Sequence, residues 1–376
     1  MSKLDELIKE LCPNGVEFIT LGTCCNIKTG KGITKKDGTD NGSYPIISGG
    51  KEPMGYFNTY NREKNTVTVS RVGANAGYVS YIETPFYLND KCFSIIPWIR
   101  YVEKIDCKFL YYVLKSLEPT IIAMQSEGGV PTINTVKVGS IEIPLPPLPI
   151  QQEIVRILDS FTELTAELQQ QLDAELTARK KQYEYYRELV FENTKRNLDT
   201  RILPLANAAN VFRGEYITKK DTIEGNIPVI LGGQEPAYYI NKSNHDGEIV
   251  VIARSGASAG FVSYWNEPIF VTDGFGYEAQ EEIVFPRYLY HCLKGLETNL
   301  NAMKRGAGVP HVSGDALSKV ELPIPPLEEQ ERIVAILDRF DALCNDLSSG
   351  LPAEIEARQK QYEYYRDKLL SFPPAE

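Results

Sequence analysis

Lys181–Arg187 reads KQYEYYR, and the same seven residues return at Lys360–Arg366. Three tyrosines, two basic residues, a glutamine and a glutamate do not recur in one order by chance, so the chain carries an internal repeat. Gln182 recurs as Gln361, an offset of 179 residues, and that offset extends far upstream. It lays Ile141–Phe161 (IEIPLPPLPIQQEIVRILDSF) on Val320–Phe340 (VELPIPPLEEQERIVAILDRF), with no insertion before the second tyrosine motif. Loops tolerate insertions and helices held in register do not, so constant length marks a rigid element. Earlier in each half the match loosens: VSRVGANAGYVSY (Val69–Tyr81) answers IARSGASAGFVSY (Ile252–Tyr264) at an offset of 183, and GITKKD (Gly32–Asp37) answers YITKKD (Tyr216–Asp221) at 184. Each half is therefore a variable globular part followed by a part of fixed length.

In the fixed part of the first half, apolar and aromatic residues fall at Ile154, Leu158, Phe161, Leu168, Leu172, Leu176, Tyr183, Tyr186 and Val190. Steps of three, four and their sums make a heptad seam, with Arg179 its one polar member. No Gly or Pro interrupts Gln151–Glu192, so a helix of roughly 60 Å is expected there, starting after the prolines of PLPPLPI. The second copy has the same seam at Ile333, Leu337, Phe340, Leu347, Tyr362 and Tyr365, but Ser348, Ser349, Gly350 and Pro352 predict a kink near residues 348–352. A long helix with one apolar stripe cannot stand alone in water. The two stripes are expected to pack antiparallel about a pseudo-two-fold axis. The variable parts read as short strands (Tyr44–Ile47, Thr66–Arg71, Tyr78–Tyr81; Ile227–Leu231, Ile249–Arg254, Phe261–Tyr264), each set followed by a helical stretch at Phe109–Ile121 or Tyr288–Leu300. The expected fold is α+β: two similar globular domains joined by two long antiparallel coiled-coil helices. The boundaries are 1–145, 146–195, 196–323 and 324–376. Leu4, Leu7, Ile8 and Leu11 fit one face of a short N-terminal helix rather than a signal peptide.

Motifs for chemistry are missing. VGANAG and SGASAG have the wrong glycine positions for a dinucleotide fold, and neither a P-loop nor a zinc-protease motif occurs. The seven cysteines include no Cys-x-x-Cys, and His245, His291 and His311 match no zinc spacing. Reduced, buried thiols in a cytoplasmic protein are the reading of that pattern. No apolar run approaches a membrane span. Two repeated features could hold phosphate: Arg71 and Arg254 beside glycine turns, and Lys35–Lys36 with Lys219–Lys220. The arginines could equally brace tight turns, and single lysines could be solvated surface charge. Net charge is −10, and the excess acid gathers late: residues 1–145 carry 16 Lys/Arg against 15 Asp/Glu, and residues 323–376 carry 6 against 11. A lone DNA binder is usually basic, so the chain either does not bind DNA or does so beside basic partners.

The chain resembles, over essentially its full length, the specificity subunit of type I restriction–modification enzymes. The residues that carry the resemblance are ELCPNGVEF (Glu10–Phe18), the two IPxPPL…Q…IVxILDxF segments and the two ARxKQYEYYR segments. The resemblance implies a non-catalytic subunit that binds no cofactor or metal. Its two variable domains are target-recognition domains reading the halves of a split, asymmetric site in double-stranded DNA. Two modification subunits, which carry S-adenosylmethionine and methylate adenine, dock on it, and motor-nuclease subunits join where the complex also cuts. Half-sites about one helical turn apart, roughly 34–36 Å, suit two modules held on one face of a duplex. Side chains reaching the major groove do the reading. The candidates are Lys28, Lys31, Asn41 and Asn75 in the first domain and Arg213, Glu215, Asn226 and Ser258 in the second. Lys304 and Arg305 form a basic pair special to the second. A self-contained methyltransferase–nuclease would need motifs that do not appear, and a duplicated scaffold that binds no DNA is the remaining alternative.

Overall fold

The computed structural model describes residues 2–39, 42–126, 129–218, 220, 223–231, 235–306, 309–345 and 350–375. Asn41, Lys219 and Leu347 lie outside the described residues, as do Ser348 and Ser349. The first half holds strands β1 (Phe18–Thr20), β2 (Cys25–Thr29), β3 (Tyr44–Ile47), β4 (Tyr56–Phe57), β5 (Thr66–Ser70), β6 (Val79–Ile82), β7 (Tyr87–Leu88), β8 (Cys92–Pro97) and β9 (Glu142–Pro144). Its helices are α1 (Lys3–Leu11), α2 (Leu21–Cys24), α3 (Cys107–Ser116), α4 (Glu118–Ala123), α5 (Thr135–Gly139) and the long α6 (Leu148–Arg196). The second half repeats the plan with β10 (Arg201–Pro204), β11 (Ala209–Arg213), β12 (Ile227–Ile230), β13 (Tyr238–Ile240), β14 (Ile249–Ala253), β15 (Val262–Trp265), β16 (Phe270–Val271), β17 (Gly274–Ala279) and β18 (Glu321–Ile324). Its helices are α7 (Leu205–Ala208), α8 (Pro286–Gly295), α9 (Glu297–Ala302), α10 (Gly314–Ser318), α11 (Leu327–Asn345) and α12 (Leu351–Leu370).

Contacts divide the chain into two compact units, Met1–Gln170 with Glu356–Glu376, and Gln171–Ile355. Each has the same sheets. A four-stranded antiparallel sheet runs β2-β8-β5-β6 in the first unit and β11-β17-β14-β15 in the second. A three-stranded sheet, β4-β3-β7 or β13-β12-β16, contains one parallel pair, and β1-β9 or β10-β18 closes the base. The central strands β5 and β14 are buried on both faces. Alternation decides where each side chain goes. Val250 and Ile252 join the core under α8, while Ile249 and Val251 join Ile230, Ile269 and Val271 on the other face. The first unit keeps Val67 and Val69 toward α3 but places Thr66, Thr68 and Ser70 on the opposite face.

The expected helical stretches at Phe109–Ile121 and Tyr288–Leu300 each divide in two, at Leu117 and at Leu296. At α1, Ser2 and Asp5 form a reciprocal capping box, and Leu4 enters the first core. The helix expected after PLPPLPI begins inside that run, at Leu148. Pro149 is tolerated there because first-turn amides have no intrahelical partner to lose.

One buried glutamine ties each long helix to its globular part. Gln151 accepts from the Asp106 amide at 2.9 Å and donates to the carbonyls of Lys104 (2.8 Å) and Pro146 (2.7 Å). Gln330, at the same repeat position, accepts from the Phe285 amide at 3.0 Å and donates to Ile283 and Pro325, both at 2.9 Å. All three polar positions of each amide are used, so the side chain is completely buried without penalty.

Within each unit the helices pair in opposite chain directions. In the first, Phe161 meets Tyr365 (ring centroids 6.4 Å apart) and the Thr162 and Tyr362 hydroxyls lie 3.0 Å apart, while Leu168 lines a shallow groove with Arg358. In the second, Tyr183 and Tyr186 both stack on Phe340, at 6.1 and 5.7 Å. Ile154, Leu158, Ile333 and Leu337 are fully buried where the helices also meet the globular cores. The repeated tyrosines thus divide their labour. Tyr183 is buried, Tyr186 packs along the seam, and Tyr185 is 61% exposed.

Candidate nucleic-acid interface

In the first unit, backbone hydrogen bonds gather the loops at one end of the main sheet. The Arg71 amide donates to the Lys91 carbonyl (2.7 Å), Ile133 to Arg71 (2.9 Å), Gly73 to Pro131 (2.9 Å) and Lys31 to Leu88 (3.0 Å). Asn75 Nδ2 reaches the Gly49 carbonyl at 3.2 Å. These links bring Lys31, Arg71 and Asn75 together, with Lys91 beside them and Lys51 in the adjoining loop; the three lysines are exposed. Arg71 lies 6.0 Å from the Phe93 ring centroid. Lys51 stands over Tyr78 at 5.7 Å, and Lys115 also faces that ring, at 4.4 Å.

The second unit builds the same cluster with other side chains. Arg254 bonds to Asp273 and Val312 through its backbone, and Gly256 to Pro310. The Arg254 guanidinium is 3.7 Å from the Asp273 carboxylate, and Ser255 Oγ also donates to Asp273. Arg305 and His311 exchange both backbone hydrogen bonds at 3.0 Å, and Lys304 Nζ donates to the Ala257 carbonyl at 2.8 Å. Glu215 is held next to this cluster by its amide bond to Val271. Glu215, Arg254, Ser258, Lys304 and Arg305 therefore sit in one loop cluster, and Arg213 ends the strand that feeds it.

The repeated glycines have a structural reason. Gly77 (φ +98°) and Gly260 (φ +89°) take a left-handed conformation, and a Cβ there would lie 3.0 Å from the Ile122 backbone or 2.7 Å from the Asn301 amide nitrogen. Only glycine lets the loop close on α4 and α9 in this way.

Other candidates lie elsewhere. Lys28 is exposed and lines a separate cleft with Asn26, Arg62, Lys64 and Asn65. Lys35 and Lys36 occupy a short 3-10 turn capped reciprocally by Thr34 and Asp37. Lys220 is exposed. Asn226 precedes β12, whose far end, Ile230, meets the loop cluster through Thr272. Sequence reading missed Lys51, Lys91 and His311. A signal for Lys91 was available: the offset drops from 183 at Asp90/Asp273 to 182 at Cys92/Gly274, so the first unit has one extra residue there.

The clusters offer guanidinium, ammonium, amide and hydroxyl donors, with the Glu215 and Asp273 carboxylates as acceptors in the second. That set can contact phosphate oxygens and base edges. Among the described residues no group of three or more His, Cys, Asp or Glu is arranged to hold a metal, and no helix is long and apolar enough to cross a membrane. All seven cysteines are free.

The chain is thus one α+β domain written twice, each copy with a loop cluster of hydrogen-bond donors and a glutamine-clamped helix. The model of the type I restriction modification DNA specificity domain matches residues 13–178 and 204–357, and the chain belongs to that family. It is 31% identical to the EcoR124I/EcoR124II type I restriction enzyme specificity subunit of Escherichia coli, over all of this chain and 99% of that protein. It is 27% identical to the EcoprrI specificity subunit of the same species, over 93% of each. Among solved structures, a chain from a study of type I restriction–modification assembly and conformational transition aligns at TM-score 0.68 with 20% identity, over 96% of this chain and 98% of that one. The type I S subunit of M. genitalium aligns at TM-score 0.53 with 21% identity, over 95% and 96%. The chain is a type I specificity subunit, the non-catalytic component of its system.

Proposed function

We propose that this subunit reads a bipartite, asymmetric site in double-stranded DNA, one half per unit, and carries two adenine-methylating subunits that bring S-adenosylmethionine. Motor-nuclease subunits complete the complex where it also restricts. The observation that carries this reading is the duplicated loop cluster: one backbone plan, filled by Lys31, Arg71, Asn75 and Lys91 in one unit and by Glu215, Arg254, Lys304 and Arg305 in the other. A shared plan places donors against DNA in the same manner, and unlike side chains read unlike bases. The acidic balance of the chain fits partners that supply much of the phosphate neutralisation.

The test is to sequence methylated adenines in cells expressing the subunit with its partners. Exchanging Thr20–Ser140 for the matching segment of another family member is expected to change one half-site and leave the other. Removing the heptad Gln169–Glu175, with a matched cut in α12, is expected to change the spacing and leave the bases unchanged. A change in both halves after the domain exchange, or an unaltered spacing after the heptad cut, overturns the reading. Loss of DNA binding by the complex while both units stay folded favours the DNA-free scaffold.

A further inference from the structure

Beneath each recognition domain, polar side chains cross the apolar contact between helices. In the second unit His291, fully buried on α8, places Nε2 2.6 Å from Asp338 Oδ1 on α11 and Nδ1 3.3 Å from the Tyr183 hydroxyl on α6. Arg287, one turn earlier on α8, donates to Asp338 at 2.7 Å and to Asp341 at 2.8 Å, and stacks over Tyr264 (4.8 Å) and Tyr290 (4.6 Å). The first unit has a cluster at the same repeat positions. Tyr112 on α3 donates to Asp159 on α6 at 2.6 Å, and Lys108 lies 3.0 Å from the other oxygen of that carboxylate. Thr162 stands where the second unit has Asp341, and its hydroxyl is 3.0 Å from that of Tyr362 on α12, the counterpart of Tyr183. The Tyr81–Tyr111 and Tyr264–Tyr290 ring pairs also match, at 5.7 and 5.8 Å.

Apolar packing has no direction and lets helices slide, whereas buried donors and acceptors close at one register only. A shift of α8 by one residue would strand His291 and Arg287 away from Asp338. We infer that Asp159 with Tyr112 and Lys108, and Asp338 with His291 and Arg287, are positioning residues that fix the angle at which each recognition domain meets its helices, and hence the half-site spacing the complex accepts. This inference rests on the bipartite reading proposed above and names residues that touch no DNA.

The test uses the full chain assembled with its methyltransferase subunits. DNA duplexes carry the two half-sites at the native spacing or one base pair longer, and the ratio of methylation rates is read. The unaltered complex comes first: indifference to half-site spacing there sinks the bipartite reading itself, before any variant is made. Given a spacing preference, Asp338→Asn is expected to lower it about tenfold, the weight of one hydrogen bond to a charged group, while circular dichroism stays unchanged. A folded Asp338→Asn complex with its full spacing preference overturns the inference. Should that variant not fold, the transplant Arg287→Lys, His291→Tyr, Asp341→Thr installs the first unit's cluster in the second. It is expected to keep the spacing preference, and adding Asp338→Asn to it should then lower the preference; retention in that background also overturns the inference.

Discussion

The two clusters beneath the recognition domains occupy equivalent positions, yet one uses Lys108, Tyr112 and Thr162 where the other uses Arg287, His291 and Asp341. The aspartate, the tyrosine of the facing helix and the tyrosine ring pair are shared, as Asp159 and Asp338, as Tyr362 and Tyr183, and as Tyr81–Tyr111 and Tyr264–Tyr290. A tyrosine hydroxyl at 2.6 Å and an imidazole nitrogen at 2.6 Å reach the same carboxylate from the same place on the helix. What the two units keep is the reach of a donor into the helix contact, and what they vary is its chemistry. The second unit makes the heavier commitment. Its basic residue is an arginine bonded to two α11 carboxylates through separate nitrogens at 2.7 and 2.8 Å, whereas Lys108 holds Asp159 at 3.0 Å and the exposed Glu83 at 3.5 Å through its one nitrogen.

The glutamine clamps give the comparison its baseline, because there the two units are identical. Gln151→Leu or Gln330→Leu removes one acceptor and two N–H donors, stranding a buried amide and two carbonyls. Each substitution is expected to cost about 3–4 kcal/mol, two or more unsatisfied backbone groups. Chemical denaturation of the full chain, followed by hydrogen exchange in α3 and α8, measures both. A twofold difference between the two would show that the units are not energetically equivalent even where their contacts are the same.

Where the clusters differ, the costs should part. Asp338→Ala leaves Arg287 and buried His291 without their shared acceptor, and is expected to cost about 2–3 kcal/mol, below the roughly 3–5 kcal/mol of a fully buried pair because Asp338 is 39% exposed. Asp159→Ala leaves a lysine 30% exposed, which can turn to water, and a phenol; about 1 kcal/mol is expected. Equal losses of hydrogen-exchange protection in α3 and α8 would break the distinction.

The sequence made the repeat, the long helix and the central strands readable, because those features are local or periodic. Tyr44–Ile47 is a strand as expected, Ile249–Arg254 runs one residue past the end of β14, and Phe261–Tyr264 lies one residue ahead of β15 at both ends. Strands β2, β8, β11 and β17 passed unread, since CNIKT and GFGYEA alternate weakly and gain their burial from neighbours far along the chain. The helix break at Leu117 was hidden because an apolar residue there fits an unbroken pattern. In the candidate interface, Arg71 and Arg254 were legible from their repetition, but Lys51 and Lys91 join the cluster through turns whose path only the fold decides. The Asp159 and Asp338 clusters were out of reach for a similar reason: Tyr112 and Asp159 are 47 residues apart, and so are His291 and Asp338. Nothing in local pattern pairs them. Unlike residues at one offset were the available hint, Tyr112 against His291 among them.

That single difference gives the smallest effect and the sharpest contrast. His291 is faced by Asp338 and Asp341 from α11, by Arg287 and Tyr290 from α8, and by Tyr183, with Arg187 behind it, from α6. Burial, aided by the Arg287 charge and opposed by Asp338, holds its pKa below the ordinary histidine value. The neutral ring donates from Nε2 to Asp338 and accepts at Nδ1 from Tyr183. In the unfolded chain the ring takes up a proton near pH 6.5, while the folded unit resists it. The unfolded state therefore binds more protons, and stability is lost as pH falls from about 6.5 toward the lower folded value. The slope for one proton is at most about 1.4 kcal/mol per pH unit. Burial and the bond to Asp159 push the Tyr112 phenol far above its usual range, so it has nothing to titrate there. Burial pushes Asp338 up, but hydrogen bonds from His291 and Arg287 outweigh it and leave the carboxyl below its usual value, so its own loss comes only in stronger acid. Between pH 7 and 5.5, amide exchange in α8 should accelerate relative to α3 beyond the intrinsic pH effect on exchange, and His291→Tyr should bring the two together. Parallel behaviour of α3 and α8 in the unaltered chain would mean that His291 keeps the same charge folded and unfolded, and that the two clusters differ in composition alone.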